Sequence, residues 1–215
     1  MIPKPLERLR SIHPIQDVWF KKRTVFEATR EAYERRELDH EEYYVDRYPE
    51  TQILSDFDDD AKEFLERHTG PQSTVNRLKN EDCTLFLART EEDGSPAGFY
   101  WSVIAHSEPV WHDSFKLQVG NALVFNAYVA EPHRRRGVYR LLQGAAHNHL
   151  FVNTGCEAVI TIVENQNTAS IQANREFGLQ PTADNYLLKI LSVNVLSVVK
   201  NDITRTLFVL RRGGL

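Results

Sequence analysis

Between Asn121 and Leu142 the hydrophobic pattern changes period within a few residues. Ala122 to Ala130 is an apolar run interrupted only by Asn126, the mark of a buried strand. It stops in a charged turn, Glu131-Pro132-His133-Arg134-Arg135-Arg136. Beyond Gly137 the apolar positions Leu141, Leu142, Ala145, Ala146 and Leu150 recur at helical spacing. The helix predicted there runs from Tyr139 to Val152, with Gly155 as its stop. Ala158 to Val163 is again of buried-strand type, so strand, helix and strand form a right-handed parallel unit. Asn167 can cap a further helix, Thr168 to Phe177, which Gly178 closes.

Upstream, Leu6 to Ile12 reads as a short helix cut off before Pro14. Asp17 to Arg36 places Val18, Phe20, Val25, Ala28, Ala32 and Tyr33 in one stripe and predicts a helix of about twenty residues. His40 to Ile53 is rich in tyrosine and acid, and Pro49 opposes a continuous helix there. Asp56 to Asp60 supplies acids to the first turn of a helix reaching His68, with Phe57, Ala61, Phe64 and Leu65 inward, and Thr69-Gly70-Pro71 ends it. Cys83 to Thr90 and Ala97 to Ala105 are neighbouring antiparallel strands joined through Glu91 to Ser95. At the far end, the β-branched runs Asn185 to Val199 and Thr204 to Arg211, with Lys200-Asn201-Asp202 between them, predict a closing hairpin. The fold class is α/β, a mixed sheet with one parallel crossover and flanking helices. Residues 1–80 form its helical N-terminal part and 81–215 its core and strand hairpin.

A chain of 215 residues suits one well-buried domain. A net charge of -4 lacks the basic surplus of a nucleic-acid binder, and no apolar run is long enough to span a membrane. The only two cysteines, Cys83 and Cys156, form no C-x-x-C pair, so neither a disulfide framework nor a zinc knuckle is implied and a cytoplasmic setting is expected. His147 and His149 lie two apart on a helix, about 200° around its axis, which is wrong for joint metal binding.

The chemistry concentrates at the charged turn. The first backbone amides of a helix have no intrahelical partner and carry about half a positive charge. With three arginines and a glycine in front of them, the turn is built to hold a phosphate or pyrophosphate. It is neither a Walker A loop nor a G-x-G-x-x-G fingerprint.

Val129 followed by Arg134-x-x-Gly137 resembles the acyl-CoA signature of the GNAT N-acetyltransferase superfamily, Q/R-x-x-G-x-G/A after a strand. Asn167-Thr168-Ala169-Ser170-Ile171 with Phe177-Gly178-Leu179 resembles the second motif of that family, and the resemblance extends over Leu85 to Leu188. It implies two central parallel strands that splay apart, with the thioester of acetyl-CoA as co-substrate lying in the notch and no metal. Arg134, Arg135, Arg136, Gly137, Val138 and Tyr139 would cradle the CoA pyrophosphate. The Val129 amide would face the thioester oxygen and Asn167 the pantetheine region. The last signature position, Gly or Ala in the family, is Tyr139, whose ring is expected to turn away from the phosphates.

The resemblance further implies an acyl-CoA-dependent N-acyltransferase, acetylating a primary amine of a small molecule by direct attack in a ternary complex. Where the family often has a proton-donating tyrosine this chain has Asn174, which can hydrogen-bond a thiolate or orient a water but cannot give up a proton, so either Tyr139 or Tyr128 protonates the sulfur or CoA leaves as a thiolate. Glu164, at the end of a buried strand beside the notch, is the candidate base, with Glu131 on the opposite lip as an alternative. Tyr43, Tyr44, Asp46 and Tyr48 either line the acceptor pocket or pack as core. An inert acyl-CoA or acyl-carrier binding module and a long-chain N-acyltransferase are the other readings. Exposed apolar strands at the chain end allow a homodimer.

Overall fold

A computed structural model describes residues 18–36, 39–48, 57–78, 82–112, 115–190, 193–201 and 207–209. The first half contains β1 (Val18–Thr29), β2 (Tyr43–Tyr48), α1 (Asp59–Thr69), α2 (Pro71–Leu78), β3 (Cys83–Thr90) and β4 (Pro96–Ile104). Next come a short ribbon, β5 (Val110–His112) and β6 (Phe115–Leu117), then β7 (Asn121–Val129) and α3 (Val138–Asn148). The second half is completed by β8 (Ala158–Glu164), α4 (Thr168–Glu176), β9 (Gln180–Ile190), β10 (Val193–Asn201) and β11 (Leu207–Val209).

The main sheet has nine strands in the order β11-β10-β9-β1-β8-β7-β4-β3-β2. Only β7 and β8 run parallel; every other neighbouring pair is antiparallel. β3 and β4 are buried along nearly their whole length because helices cover both faces. On the first face α3 presses Val138, Leu142 and Ala146 onto Phe86, Tyr100, Val124 and Val159, while Ile171 of α4 packs with Phe26, Val163 and Phe177. On the second face α1 packs Ala61 and Leu65 against Leu85, Leu87, Phe99 and Trp101. That face continues through Phe125 to Val25, Leu123 and Ile160.

Asp58 caps α1, accepting from the Ala61 N–H at 2.7 Å. Its other oxygen accepts from Arg89 at 2.6 Å, and Arg89 also donates to Asp46 at 2.8 Å, so one guanidinium ties the helix start to β2. Burial pushes the Asp58 carboxyl up, but the Ala61 N–H and Arg89 outweigh it and hold it below the usual range.

The helix expected over Asp17 to Arg36 is not formed: Val18–Thr29 is a strand, wedged between β8 and β9. Both its faces are covered, so the adjacent Val25 and Phe26 are both buried and the alternation that marks a half-exposed strand is absent. Of the helical N-terminal part, residues 59–69 and 71–78 are helical among the described residues. Pro71, expected as a terminator, instead opens α2, where its missing N–H costs nothing.

The closing hairpin differs as well. One strand ends at Ile190 and the next begins at Val193, inside a run without a glycine or proline, and Lys200 and Asn201 belong to β10. β11 then pairs with β10, Leu207 opposite Val199. The short helix expected over Leu6 to Ile12 lies outside the described residues. Tyr43 is buried in the core and Tyr48 stacks on Phe57, yet Tyr43 and Tyr44 also line one surface pocket and Tyr44, Asp46 and Tyr48 another. No helix among the described residues is long and apolar enough to cross a membrane.

Candidate active site

β7 and β8 are paired only from Asn121 opposite Ala158 to Val124 opposite Thr161, although β7 continues to Val129 and β8 to Glu164. Two causes meet here. Along β4, Trp101 faces Phe125 and Phe99 faces Tyr128, so Asn126 and Ala127 together oppose the single residue Tyr100. Asn126 takes φ 48°, a left-handed conformation that asparagine tolerates better than most residues, and the bulge bends β7. β8 does not follow, because β1 grips it along its length, from Arg23 opposite Glu164 to Thr29 opposite Ala158. The strands diverge and leave a cleft of about 560 Å³.

Tyr100, Val124, Tyr139, Asn167 and Ser170 line the cleft from the first face; Phe125, Arg23, Arg77 and Glu164 line it from the second. The Ala130 N–H donates to Ala97 of β4 at 2.9 Å. Alternation along the strand therefore turns the Val129 N–H away from β4, towards the open side.

At the end of β7 the charged turn enters α3 through Gly137, with φ 83°. Leu141 is the first residue to donate along the helix, to Gly137 at 3.0 Å, so the amides of Val138, Tyr139 and Arg140 lie ahead of the helical ladder. The turn is braced from outside. The His40 ring nitrogen bonds the Arg136 carbonyl at 2.8 Å and Glu42 pairs with the Arg136 guanidinium at 2.5 Å. Arg134 folds back so that its Nε donates to the Val129 carbonyl at 3.1 Å, and Arg135 is exposed at φ 62°.

Tyr139 is half-buried and meets Tyr100 edge to face, ring centroids 5.9 Å apart. Its hydroxyl lies beside Tyr100 and the Asn174 amide, and burial outweighs these hydrogen-bonding neighbours to push the phenol above its ordinary pKa. The Tyr100 hydroxyl is completely buried on the cleft wall, with the Tyr139 hydroxyl as its polar neighbour.

The family model described as Acetyltransferase (GNAT) family matches residues 22–179. The chain belongs to that family. No curated protein matches this GNAT chain in sequence. Among solved structures it is similar to a GCN5-related N-acetyltransferase from Sphaerobacter thermophilus, at 14% identity and TM-score 0.59 over 86% of this chain and 55% of that one. It is also similar to a tandem GNAT protein from the clavulanic acid biosynthesis pathway, at 14% identity and TM-score 0.58 over 87% of this chain and 58% of that one. A third likeness is to the GCN5-related glucosamine N-acetyltransferase region of a fungal multi-domain GH3 β-N-acetylglucosaminidase, at 12% identity and TM-score 0.61 over 87% of this chain and 23% of that one. At these identities the likeness is one of fold, and the chain spans a little over half the length of the first two.

Within this GNAT fold, Tyr139, Asn167 and Glu164 come together at the cleft. Asn167 caps α4, accepting from the Ser170 N–H at 3.1 Å. Glu164 is half-exposed, 48%, and pairs with Lys21 at 2.5 Å. Asn174 is fully buried behind the wall, accepting from Gln143 at 3.0 Å and donating to the Ser170 carbonyl at 2.8 Å. Tyr128 turns to the second face, where it stacks on His68 with centroids 3.9 Å apart. Sequence reasoning missed Tyr100, Arg23, Arg77, His40 and Glu42, none of which sits in a motif. Among the described residues no three His, Cys, Asp or Glu side chains cluster as a metal site.

Proposed function

We propose that this GNAT chain is an acyl-CoA-dependent N-acyltransferase that acetylates the primary amine of a small molecule by direct attack in a ternary complex. The observation that carries the reading is the opening between β7 and β8, with the Val129 amide on one lip and the Tyr100 and Tyr139 phenols side by side on the wall. Acetyl-CoA as co-substrate supplies an activated acyl carbon and a thiolate leaving group. The residues present fit it. The freed edge of β7 offers backbone groups to an extended arm, Asn167 and Ser170 flank that arm, and the Gly137 turn with the first amides of α3 and the arginines Arg134 to Arg136 suits the phosphates.

Glu164, on the second face, takes the proton of the attacking ammonium and leaves a neutral amine. The Val129 N–H stabilises negative charge on the acyl oxygen as the C–N bond forms. The C–S bond then breaks, the sulfur takes a proton from Tyr139, and the second proton of the attacking nitrogen passes to solvent, from which Tyr139 is reprotonated. Tyr139 is preferred to Tyr128, which packs on the other side of the sheet, and to Asn174, which holds no transferable proton. Direct transfer is also supported by the cysteines. Both are buried, their thiols pushed up to about 12 chiefly by burial, so neither is a nucleophile for an acetyl-enzyme.

The test is thiol release from acetyl-CoA across an amine panel, followed by initial-velocity kinetics. Intersecting lines are expected, whereas parallel lines with a trapped acetyl-enzyme overturn direct transfer. Tight acetyl-CoA binding with no thiol release on any amine makes the protein an inert binding module. A larger thermal shift with long-chain acyl-CoA than with acetyl-CoA makes it a long-chain transferase.

A further inference from the structure

Resting on the acyltransferase reading, we infer that His40 and Glu42 are positioning residues for acetyl-CoA. From outside the cleft they hold the turn before α3 in the shape that presents its amides to the phosphates. Both are far from the turn in sequence, and both meet it at the same residue, Arg136.

The turn needs such a hold. Arg135 at φ 62° and Gly137 at φ 83° are both left-handed, a conformation an arginine adopts only at a cost, and no side chain caps the start of α3. The His40 ring supplies one restraint. Its Nδ1 accepts the Glu42 N–H at 3.3 Å, so the ring hydrogen sits on Nε2, which donates to the Arg136 carbonyl at 2.8 Å. In a planar trans peptide the carbonyl and the following N–H point opposite ways. Fixing this carbonyl towards His40 therefore turns the Gly137 N–H to the other side.

Glu42 is the second restraint. Its carboxylate pairs with Arg136 at 2.5 Å, and that guanidinium lies 5.6 Å over the Tyr43 ring. The Tyr43 hydroxyl reaches His133, at the start of the same turn, at 3.0 Å. The bracing segment is itself tied to the sheet: the Glu91 N–H donates to the Glu42 carbonyl at 2.9 Å, and Tyr43 stands opposite Thr90 of β3. Arg136 thus acts through the shape of the turn, its charge matched by Glu42. This assignment gives Glu42 a sign opposite to that of its charge. A carboxylate beside a phosphate site repels the ligand, so by charge alone Glu42→Ala would tighten acetyl-CoA binding, whereas loss of a brace weakens it.

The experiment combines calorimetric titration of CoA into the whole chain with thiol release from acetyl-CoA and from S-acetylpantetheine, which lacks the phosphates, using an amine that the parent acetylates. His40→Ala and Glu42→Ala are each expected to raise the Kd for CoA and the KM for acetyl-CoA about threefold to tenfold, the range of one net hydrogen bond, with kcat less affected. Their kcat/KM with S-acetylpantetheine should equal the parent's. His40→Gln, whose amide can donate where Nε2 does, should restore part of the loss, and the shorter His40→Asn should not. In hydrogen exchange, CoA should protect the amides of residues 137–140 less in His40→Ala than in the parent.

Tighter CoA binding by Glu42→Ala, an unchanged Kd in His40→Ala, or an equal loss with both donors overturns the inference while leaving the acyltransferase reading standing. A parent chain that does not bind CoA removes that reading, and the inference with it.

Discussion

Gly98 lies where β4 meets the bulged end of β7, and replacing it by alanine tests whether that contact sets the notch. A Cβ at this position would sit 2.7 Å from the Tyr128 carbonyl oxygen and 3.3 Å from both the Val129 Cα and the Leu142 side chain. The first two obstacles are backbone and cannot rotate aside. Ordinary contact begins at 3.4 Å, so relief requires the Tyr128–Val129 segment to move by the difference, about 0.7 Å, into the notch. The Ala130–Ala97 hydrogen bond, 2.9 Å, sits at the same spot and would lengthen. Overpacking of this kind costs about 1–3 kcal/mol. For a domain of this size that lowers Tm by about 2–12 °C.

The same shift carries the Val129 N–H away from the acyl oxygen, and a misplacement of about 1 Å near the reacting atoms costs up to about a hundredfold. The expected result for Gly98→Ala is thus a lower Tm by differential scanning calorimetry and a kcat reduced about tenfold or more, with KM for acetyl-CoA less affected. A variant that melts within a degree of the parent at unchanged kcat would refute the argument that the β4–β7 contact positions this amide.

Three other predictions follow from single residues. Gly137→Ala places a side chain at φ 83° and 3.1 Å from the His40 ring, a strain of about 1–2 kcal/mol, and should raise KM for acetyl-CoA more than it lowers kcat; an unchanged KM would remove the turn from the phosphate site. Tyr139→Phe should lower kcat by about a hundredfold while leaving acetyl-CoA binding nearly intact. Burial, against the opposing Tyr100 and Asn174 hydrogen bonds, keeps the Tyr139 phenol above the ordinary 10, so the alkaline limb it causes lies above pH 10, and equal kcat in the variant would exclude it as the donor. His147 is fully buried with neither nitrogen bonded, and burial, helped by Arg36, pushes its pKa down to about 3. Between the usual His value and about 3 the unfolded chain binds a proton that the folded one refuses. Its contribution is therefore complete above about pH 6.5 and lost as pH falls, by about 1.4 kcal/mol per pH unit. His147→Leu should flatten the Tm profile between pH 7 and 5, and a slope equal to the parent's would count against this origin.

Local patterning was enough for β3, β4, β7, α3, β8 and α4, because each shows its buried side in its own stretch of sequence. The Gly137 turn and the Asn167 cap were legible for the same reason: a left-handed glycine and a side-chain cap act within a few residues. β1 was misread because its burial on both faces depends on strands and helices from the other end of the chain, and its apolar spacing then imitated a helical stripe. The notch is likewise non-local. It needs two residues of β7 set against one of β4, and β1 holding β8 straight, neither of which any run of neighbouring residues expresses. Arg23, Arg77, Tyr100 and Tyr139 meet only there. The sequence by itself determined the family and where the basic turn before α3 lies, since short-range motifs encode both. Which phenols and which charged side chains line the cleft were decided by the tertiary structure alone, because those depend on how separate strands are brought into register.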